Sequence, residues 1–348
     1  MRDTLSRLPE LLLPWYAAES RDLPWRVDRE PYHVWISEIM LQQTRVEAVR
    51  GYYARFLDAL PDIPALANAP EEYLLKLWEG LGYYSRVRQL GRAARVIMQE
   101  HGGVFPRDPA AIRALPGIGD YTAGAIASIC FGEPIPAVDG NVLRVVSRIL
   151  ADDTCVDLPA TKAAYRDALA DIYPRDRAGD FTQALMELGA TVCIPRGEPR
   201  CVDCPAAAIC AANSAGDPLR YPVRAAKRAR RVEERTVFLL CAADPSSGGG
   251  LAINRRPPMG LLAGLWELPN VLGKLSAQEV MEQAADWGLS PLSCGEPYHR
   301  VHIFTHVEWH MTVYPVTCAT PVPPFVWASE EEISSVYALP TAFRICLA

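Results

Sequence analysis

The chain has 348 residues, half of them hydrophobic, and a net charge of −6. That is room for two ordinary domains with large buried cores. No apolar run reaches the length of a membrane span, and MRDTLSRLPELLLPWYAAES carries charges on both sides of a short LLL, which excludes a signal-peptide core.

A soluble cytoplasmic protein without membrane contact is therefore expected, nucleoid-associated if the source is bacterial. The net charge argues mildly against a nucleic-acid partner, but its distribution is uneven. Residues 1–235 hold 30 basic against 31 acidic residues, whereas 236–348 hold 5 against 10.

Along the chain, the first element of interest is VWISEIMLQQTRV (34–46). It reads as a buried helix, yet Glu38 sits among Trp35, Ile36, Ile39, Met40 and Leu41. The neighbours of Glu38 at helical spacing are apolar or amide, so burial is expected to raise its carboxyl pKa and keep it protonated near neutrality. A protonated Glu of that kind is a general acid. The alternative is a solvated or salt-bridged helix carboxylate.

Helical periodicity continues to about residue 215, with PEEYLLKLWEGLGYYSRVRQLGRAARVIMQEH (70–101) and TKAAYRDALADIY (161–173), and with DIPALANAP and FPRDP as breakers. In LPGIGDYTAGAIAS (115–128), Gly117 and Gly119 flank Ile118 in a tight turn that exposes backbone N–H groups at the start of a helix. A hairpin gripping a DNA phosphate is the better reading in this helical context, because the glycine spacing matches neither a dinucleotide fingerprint nor a P-loop.

In PIPAVDGNVLRVVSRIL (134–150), Asp139 followed by Gly140 and Asn141 reads as an N-cap. A carboxylate fixed at a helix N-terminus could also stabilise a cation at a reaction centre. Four of the ten cysteines crowd into CIPRGEPRCVDCPAAAIC as Cys193-x7-Cys201-x2-Cys204-x5-Cys210. The crowding suggests ligation of one centre, zinc or a four-iron cluster, rather than a disulfide framework.

The stretch LRYPVRAAKRARRVEER (219–235) has seven basic and two acidic residues and reads equally as a solvated linker or a phosphate-contacting strip. Beyond it the period changes to strand-like runs, RTVFLLCAA and HIFTHVEWHMTVYPV, with the glycine run SSGGG between them. The organisation expected is an α domain over 1–218, a basic connector over 219–235, and a smaller α+β domain over 236–348.

Together LPWR (23–26), PYHVWISEIMLQQTRV (31–46), LWEGLGYYSRVRQL (77–90), LPGIGDYTAGAI (115–126), VDGNVLRV (138–145) and the cysteine cluster resemble the helix-hairpin-helix DNA glycosylases with an iron-sulfur cluster, most closely the MutY-type adenine glycosylases. The resemblance covers nearly the whole chain. It implies a multidomain fold: an all-α helix-hairpin-helix glycosylase domain (hairpin about 111–128, cluster loop 193–210) carrying a [4Fe-4S] cluster on Cys193, Cys201, Cys204 and Cys210, then an α+β Nudix-like domain. The family has six residues between the first two cysteines where this chain has seven.

The implied activity is base-excision repair: hydrolysis of the N-glycosidic bond of adenine mispaired with 8-oxoguanine, and with guanine, in double-stranded DNA after base flipping. Glu38 would donate the proton, and Asp139 would act as electrostatic stabiliser or as nucleophile. Tyr121 stands where endonuclease III-type relatives carry the lysine of a Schiff base, so a monofunctional enzyme is implied. Tyr121 would position sugar and water, or pack on the hairpin. Trp25, Arg26 and Glu187 match the adenine pocket; Gln42, Gln43, Tyr83, Gly117, Gly119 and Asn141 are placed on DNA; Phe304, Thr305 and His306 match the loop that reads 8-oxoguanine, with threonine for the usual serine.

The second domain lacks the glutamate-rich Nudix helix, which disfavours a nucleotide-pool hydrolase. A non-catalytic DNA-binding module and a bifunctional glycosylase/lyase are the other readings. A monomer is expected, with a sliding clamp or another repair protein left open as a partner.

Overall fold

The computed structural model describes residues 2–226, 229–243, 250–319 and 322–347. The chain divides into two compact units, and the division is discontinuous: Met1–Asn68 with Gln89–Ala226, and Ala69–Arg88 with Lys227–Ala348. One division falls at 226/227, inside the stretch 219–235, and segment 69–88 goes with the second unit. Nothing in the local pattern of 69–88 marks this, because its hydrogen-bonded partners lie 175 to 265 residues further on.

The first unit is helical. Helix Pro31–Leu41 opens on a proline, whose fixed φ suits a first turn, and buries Val34, Trp35, Ile36, Ile39 and Met40 almost completely. It packs on helix Asp120–Phe131, whose small residues allow close approach. That helix stops where Gly132 takes a left-handed conformation (φ 73°). Helices Gly140–Leu150 and Ala178–Thr191 cross behind it and share a core of Val142, Val145, Val146, Phe181, Leu185 and Leu188 with Leu8, Leu12 and Tyr165. Truncating fully buried Phe181 to alanine would cost about 3–5 kcal/mol.

Two contacts bring the later helices close. A Cβ on Gly189 would lie 2.5 Å from the Asn141 Cβ, so only glycine lets helix Ala178–Thr191 reach the start of helix Gly140–Leu150. In the hairpin loop, Gly117 has φ 78° and a Cβ there would meet the Gln89 Cβ at 2.5 Å. Of the stretches read as breakers, DIPALANAP instead contributes a short helix, Ile63–Asn68.

In the second unit eight strands form one mixed sheet among the described residues: β1 (Arg231–Ala242), β2 (Leu251–Arg255), β3 (Trp266–Glu267), β4 (Asn270–Leu272), β5 (Pro291–Cys294), β6 (Tyr298–Ile303), β7 (Val307–Cys318) and β8 (Val326–Ala328). Long β1 and β7 run parallel at its centre, with Phe238 beside Tyr314, and β6 returns antiparallel against β7. Strand alternation gives each face its own core: Val237, Trp309, Met311 and Val313 on one side, Phe238, Leu240, Tyr314 and Val316 on the other. Helix Ala277–Asp286, closed by a Ser276–Glu279 capping box, covers the second face.

Segment 69–88 belongs to this unit through polar contacts as well. Helix Glu71–Leu77 presents Lys76, whose Nζ donates to the carbonyls of Ile333 (2.9 Å) and Tyr337 (3.1 Å). Glu79 accepts from the Leu339 N–H and the Arg344 guanidinium. Arg88 donates to the Ala263 carbonyl at 2.7 Å. The helical periodicity of 70–101 is interrupted at 78–84, where Gly80 (φ 96°) and Gly82 (φ 69°) turn the chain before helix Ser85–Glu100.

Basic residues of the connector are partly spoken for. Arg220 pairs with Asp153 and Arg224 with Asp157, within the first unit, which favours the solvated-linker reading for these two. Lys227 and Arg228 lie outside the described residues.

Candidate active site and DNA interface

A cleft of about 770 Å³ in the first unit is lined by Arg21, Trp25, Arg26, Glu38, Tyr121, Asp139, Asn141 and Glu187, among others. Five sequence segments far apart in the chain thus meet, and among its described lining residues there is no lysine.

Glu38 is 6% exposed, as its apolar neighbours led one to expect. Burial pushes its carboxyl up to about 7; the charge of Asp139 adds to the rise, while the bond from Tyr121 and the nearby Arg26 oppose it. Tyr121 sits in the first turn of helix Asp120–Phe131 and donates its hydroxyl proton to Glu38 Oε2 at 2.5 Å. Burial, followed by the charges of Glu38 and Asp139, holds the Tyr121 pKa well above the ordinary tyrosine value, so it stays a neutral donor.

Asp139 caps helix Gly140–Leu150. Its Oδ1 accepts from the N–H groups of Asn141 (2.9 Å) and Val142 (2.8 Å), and its Oδ2 from the Asn141 side-chain amide (2.7 Å). Burial raises its pKa, and these donors and Arg144 oppose the rise. Glu38 has one hydrogen-bonded partner where Asp139 has three N–H donors, and the helix N-terminus favours the anion at Asp139.

Glu187 is fully buried and lies at the third wall. Arg21 donates to both its oxygens through Nε (2.6 Å) and Nη2 (2.9 Å), and Arg26 reaches Oε2 at 2.8 Å. Burial would raise this carboxyl, but the two guanidinium groups outweigh it and hold the pKa below the usual value. Trp25, 7% exposed, packs edge-on against Tyr53 beside them.

Arg21 was not singled out from the sequence. Its only signal is a charge just ahead of LPWR, and its partner stands 166 residues away. Arg144 was missed as well: this buried arginine donates to Asn141 Oδ1, to the Gly189 carbonyl and to the Cys193 carbonyl. Asn141, expected on DNA, has its side-chain amide set between Asp139 and Arg144.

Of the other residues assigned to DNA, Gln42 ends helix Pro31–Leu41 with its amide on the Thr122 hydroxyl (3.3 Å), and Gln43 follows in a left-handed conformation (φ 58°). Gly117 and Gly119 occupy the turn between helices Pro109–Ala114 and Asp120–Phe131, where Gly119 caps the second helix without a side chain. In the second unit, Phe304, Thr305 and His306 form the turn between β6 and β7 rather than part of a buried strand, and Thr305 and His306 are exposed. Phe304 packs edge-on against Trp309 (4.8 Å). Tyr83 lies in this unit too, with φ 47°, and its hydroxyl meets the Thr305 hydroxyl at 2.7 Å.

Cys193, Cys201, Cys204 and Cys210 are free thiols that line one small cavity, together with Arg148. Arg148 donates to the Cys193 sulfur at 3.2 Å, and backbone N–H groups of Ala206 and Asn213 point at Cys204 and Cys210. Burial raises both of these thiols, and the N–H donors only oppose the rise; the fit to a ligated centre rests on four cysteines lining one cavity. Among the described residues no three side chains converge as ligands of one metal ion would.

A glycine turn between two helices and a cleft that brings together two buried carboxyls, Glu38 and Asp139, accord with one class: a helix-hairpin-helix base-excision glycosylase. A profile of the HhH-GPD superfamily of base excision DNA repair proteins matches residues 36–170, and a NUDIX domain profile matches 241–348. The adenine DNA glycosylase of Rattus norvegicus is 34% identical over 96% of this chain and 76% of its own length, and that of Homo sapiens 35% identical over 96% and 72%. A solved thermostable thymine-DNA glycosylase aligns with a TM-score of 0.55 at 29% identity, over 62% of this chain and 97% of its own. The chain belongs to the adenine DNA glycosylase family, the hydrolytic DNA N-glycosylases of base excision repair. No helix of the described residues is long and apolar enough to cross a membrane.

Proposed function

We propose that this chain removes adenine paired with 8-oxoguanine, and with guanine, as a monofunctional hydrolase. The observation that carries the reading is the buried Glu38, raised to about 7, facing a cleft that also holds the capped Asp139. Adenine extruded from the duplex enters the cleft, where the Arg21–Glu187–Arg26 cluster offers donors and an acceptor to its edge. Glu38 gives its proton to a ring nitrogen as the N-glycosidic bond breaks, and the bonding electrons leave with the base. Asp139 stabilises the positive charge left on the sugar. The oxygen of a water then bonds to the anomeric carbon, and the proton it loses restores Glu38. Tyr121 keeps Glu38 oriented through its hydroxyl. Without an amine in the cleft no Schiff base forms, and the strand is left uncut.

The lesion side of the reading rests on the exposed hydroxyls of Tyr83 and Thr305, with Phe304 and His306 beside them. For the cysteine cavity, four free thiols lining one pocket and the family membership together favour a [4Fe-4S] centre over a single zinc ion. Cys193, Cys201, Cys204 and Cys210 would hold it; its contribution is to fix loop 193–210, away from the bond being broken. Four irons per chain and visible absorption are expected, and stoichiometric zinc with no iron would overturn this assignment.

The deciding assay uses duplexes with A opposite 8-oxoguanine, G or T. Expected are alkali-labile sites opposite 8-oxoguanine, fewer opposite G, and no strand cutting before alkali. Intact DNA sinks the activity, and cutting without alkali sinks the monofunctional reading.

A further inference from the structure

Tyr83 stands in a left-handed conformation that costs a bulky residue strain, so something must hold it there. The candidate lies three residues on. Arg86 sends its guanidinium back along the turn, where Nη2 donates to the carbonyls of Leu81 (3.1 Å) and Gly82 (3.2 Å). The same group lies over the ring of buried Trp78 (5.3 Å to the centroid) and over the ring of Tyr83 (5.6 Å). Trp78 closes the circle by donating its indole N–H to the Gly82 carbonyl at 3.1 Å. Burial lowers the Arg86 pKa to about 10, which still leaves it a cation at neutral pH.

We propose that Arg86 is a positioning residue that sets the discrimination between 8-oxoguanine and guanine, by clamping the 81–83 turn on Trp78 and fixing the Tyr83 ring against Thr305. The plane is what the site uses: one face meets an aromatic floor while a single edge nitrogen, Nη2, bonds two carbonyls of a strained turn. A lysine keeps the charge, and one Nζ can serve two carbonyls as that of Lys76 does, but it has no flat face to lay over the rings of Trp78 and Tyr83. With Lys there, Tyr83 relaxes from its left-handed state and its hydroxyl leaves Thr305. Excision opposite 8-oxoguanine then loses its advantage over excision opposite guanine, while the acid chemistry at Glu38 is untouched. The inference rests on the reading that Tyr83 meets the base opposite the adenine.

The test measures single-turnover excision by the full chain on A:8-oxoguanine and A:G duplexes, for wild type, Arg86→Lys, Arg86→Met and Tyr83→Ala. Expected is a fall of at least fivefold in the 8-oxoguanine-to-guanine rate ratio in Arg86→Lys, approaching the ratio of Tyr83→Ala, with an unfolding midpoint close to wild type. Arg86→Met should act likewise; if it fails to fold, Arg86→Lys decides. A wild-type ratio in folded Arg86→Lys, alongside a lowered ratio in Tyr83→Ala, overturns the role of Arg86 alone. A wild-type ratio in Tyr83→Ala overturns the reading of Tyr83, and the proposal with it.

Discussion

The cleft of the first unit and the β6–β7 turn of the second, to which the proposed function assigns two different bases, are built by opposite physical means. The cleft is buried and charged: Glu38 is almost inaccessible, Glu187 is fully so, and every carboxyl there has a pKa displaced by burial or by a guanidinium. The turn is exposed and neutral, with two hydroxyls meeting at 2.7 Å beside a strained backbone. The difference teaches where each kind of selectivity comes from. Chemistry needs a low-dielectric site that shifts a proton equilibrium. Reading a base needs only hydrogen-bonding groups held in fixed directions, and these can sit at the surface if the backbone is held for them.

The largest effect should come from Glu38→Gln, which removes the proton donor and keeps the shape. Single-turnover excision should fall about 10³-fold with duplex binding nearly unchanged; retained excision would remove Glu38 from its role. Asp139→Asn should follow, with a loss on the order of 10²-fold, since asparagine caps a helix about as well as aspartate but lacks the charge. An unfolding midpoint near wild type would show that the loss is electrostatic.

A stability measurement separates the two regions further. With burial pushing the Glu38 carboxyl up to about 7 from its ordinary 4.5, the native state should bind the extra proton between those values and stability should fall as pH rises through that window. By pH 8 the buried anion costs up to roughly 3 kcal/mol, at about 1.4 kcal/mol per pH unit of displacement. Glu38→Gln should therefore be more stable than wild type at pH 8 by up to that amount, and no more stable at pH 4. No comparable gain should come from changes at the turn. The smallest effect is expected there: Thr305→Val should lower the preference for 8-oxoguanine by about tenfold or less, the worth of one hydrogen bond, and leave excision opposite guanine in place. Thr305→Ser, which keeps the hydroxyl, should stay near wild type.

The two regions also differed in how much the sequence disclosed. Glu38 could be read as buried because its neighbours at helical spacing are apolar, and Asp139 as a cap because Gly140 and an apolar helix follow it; both are local signals. The α and α+β units were legible from a change of period. Arg21 was not, since nothing near it in sequence points to Glu187. Nor was the transfer of 69–88 to the second unit, which depends on Lys76 and Glu79 meeting the chain at 333–344. The glycines at 80 and 82 were visible as letters, but the left-handed turn they make, and the pairing of Tyr83 with Thr305 across 222 residues, is a product of tertiary packing.

The most direct measurement is a ¹³C titration of the glutamate side-chain carboxyls of the free enzyme, with the Glu38 resonance assigned by its absence in Glu38→Gln. A midpoint near 7 is expected. A midpoint near 4.5, the value of a solvated glutamate, would mean that this side chain is already an anion at neutral pH and has no proton to give the departing base.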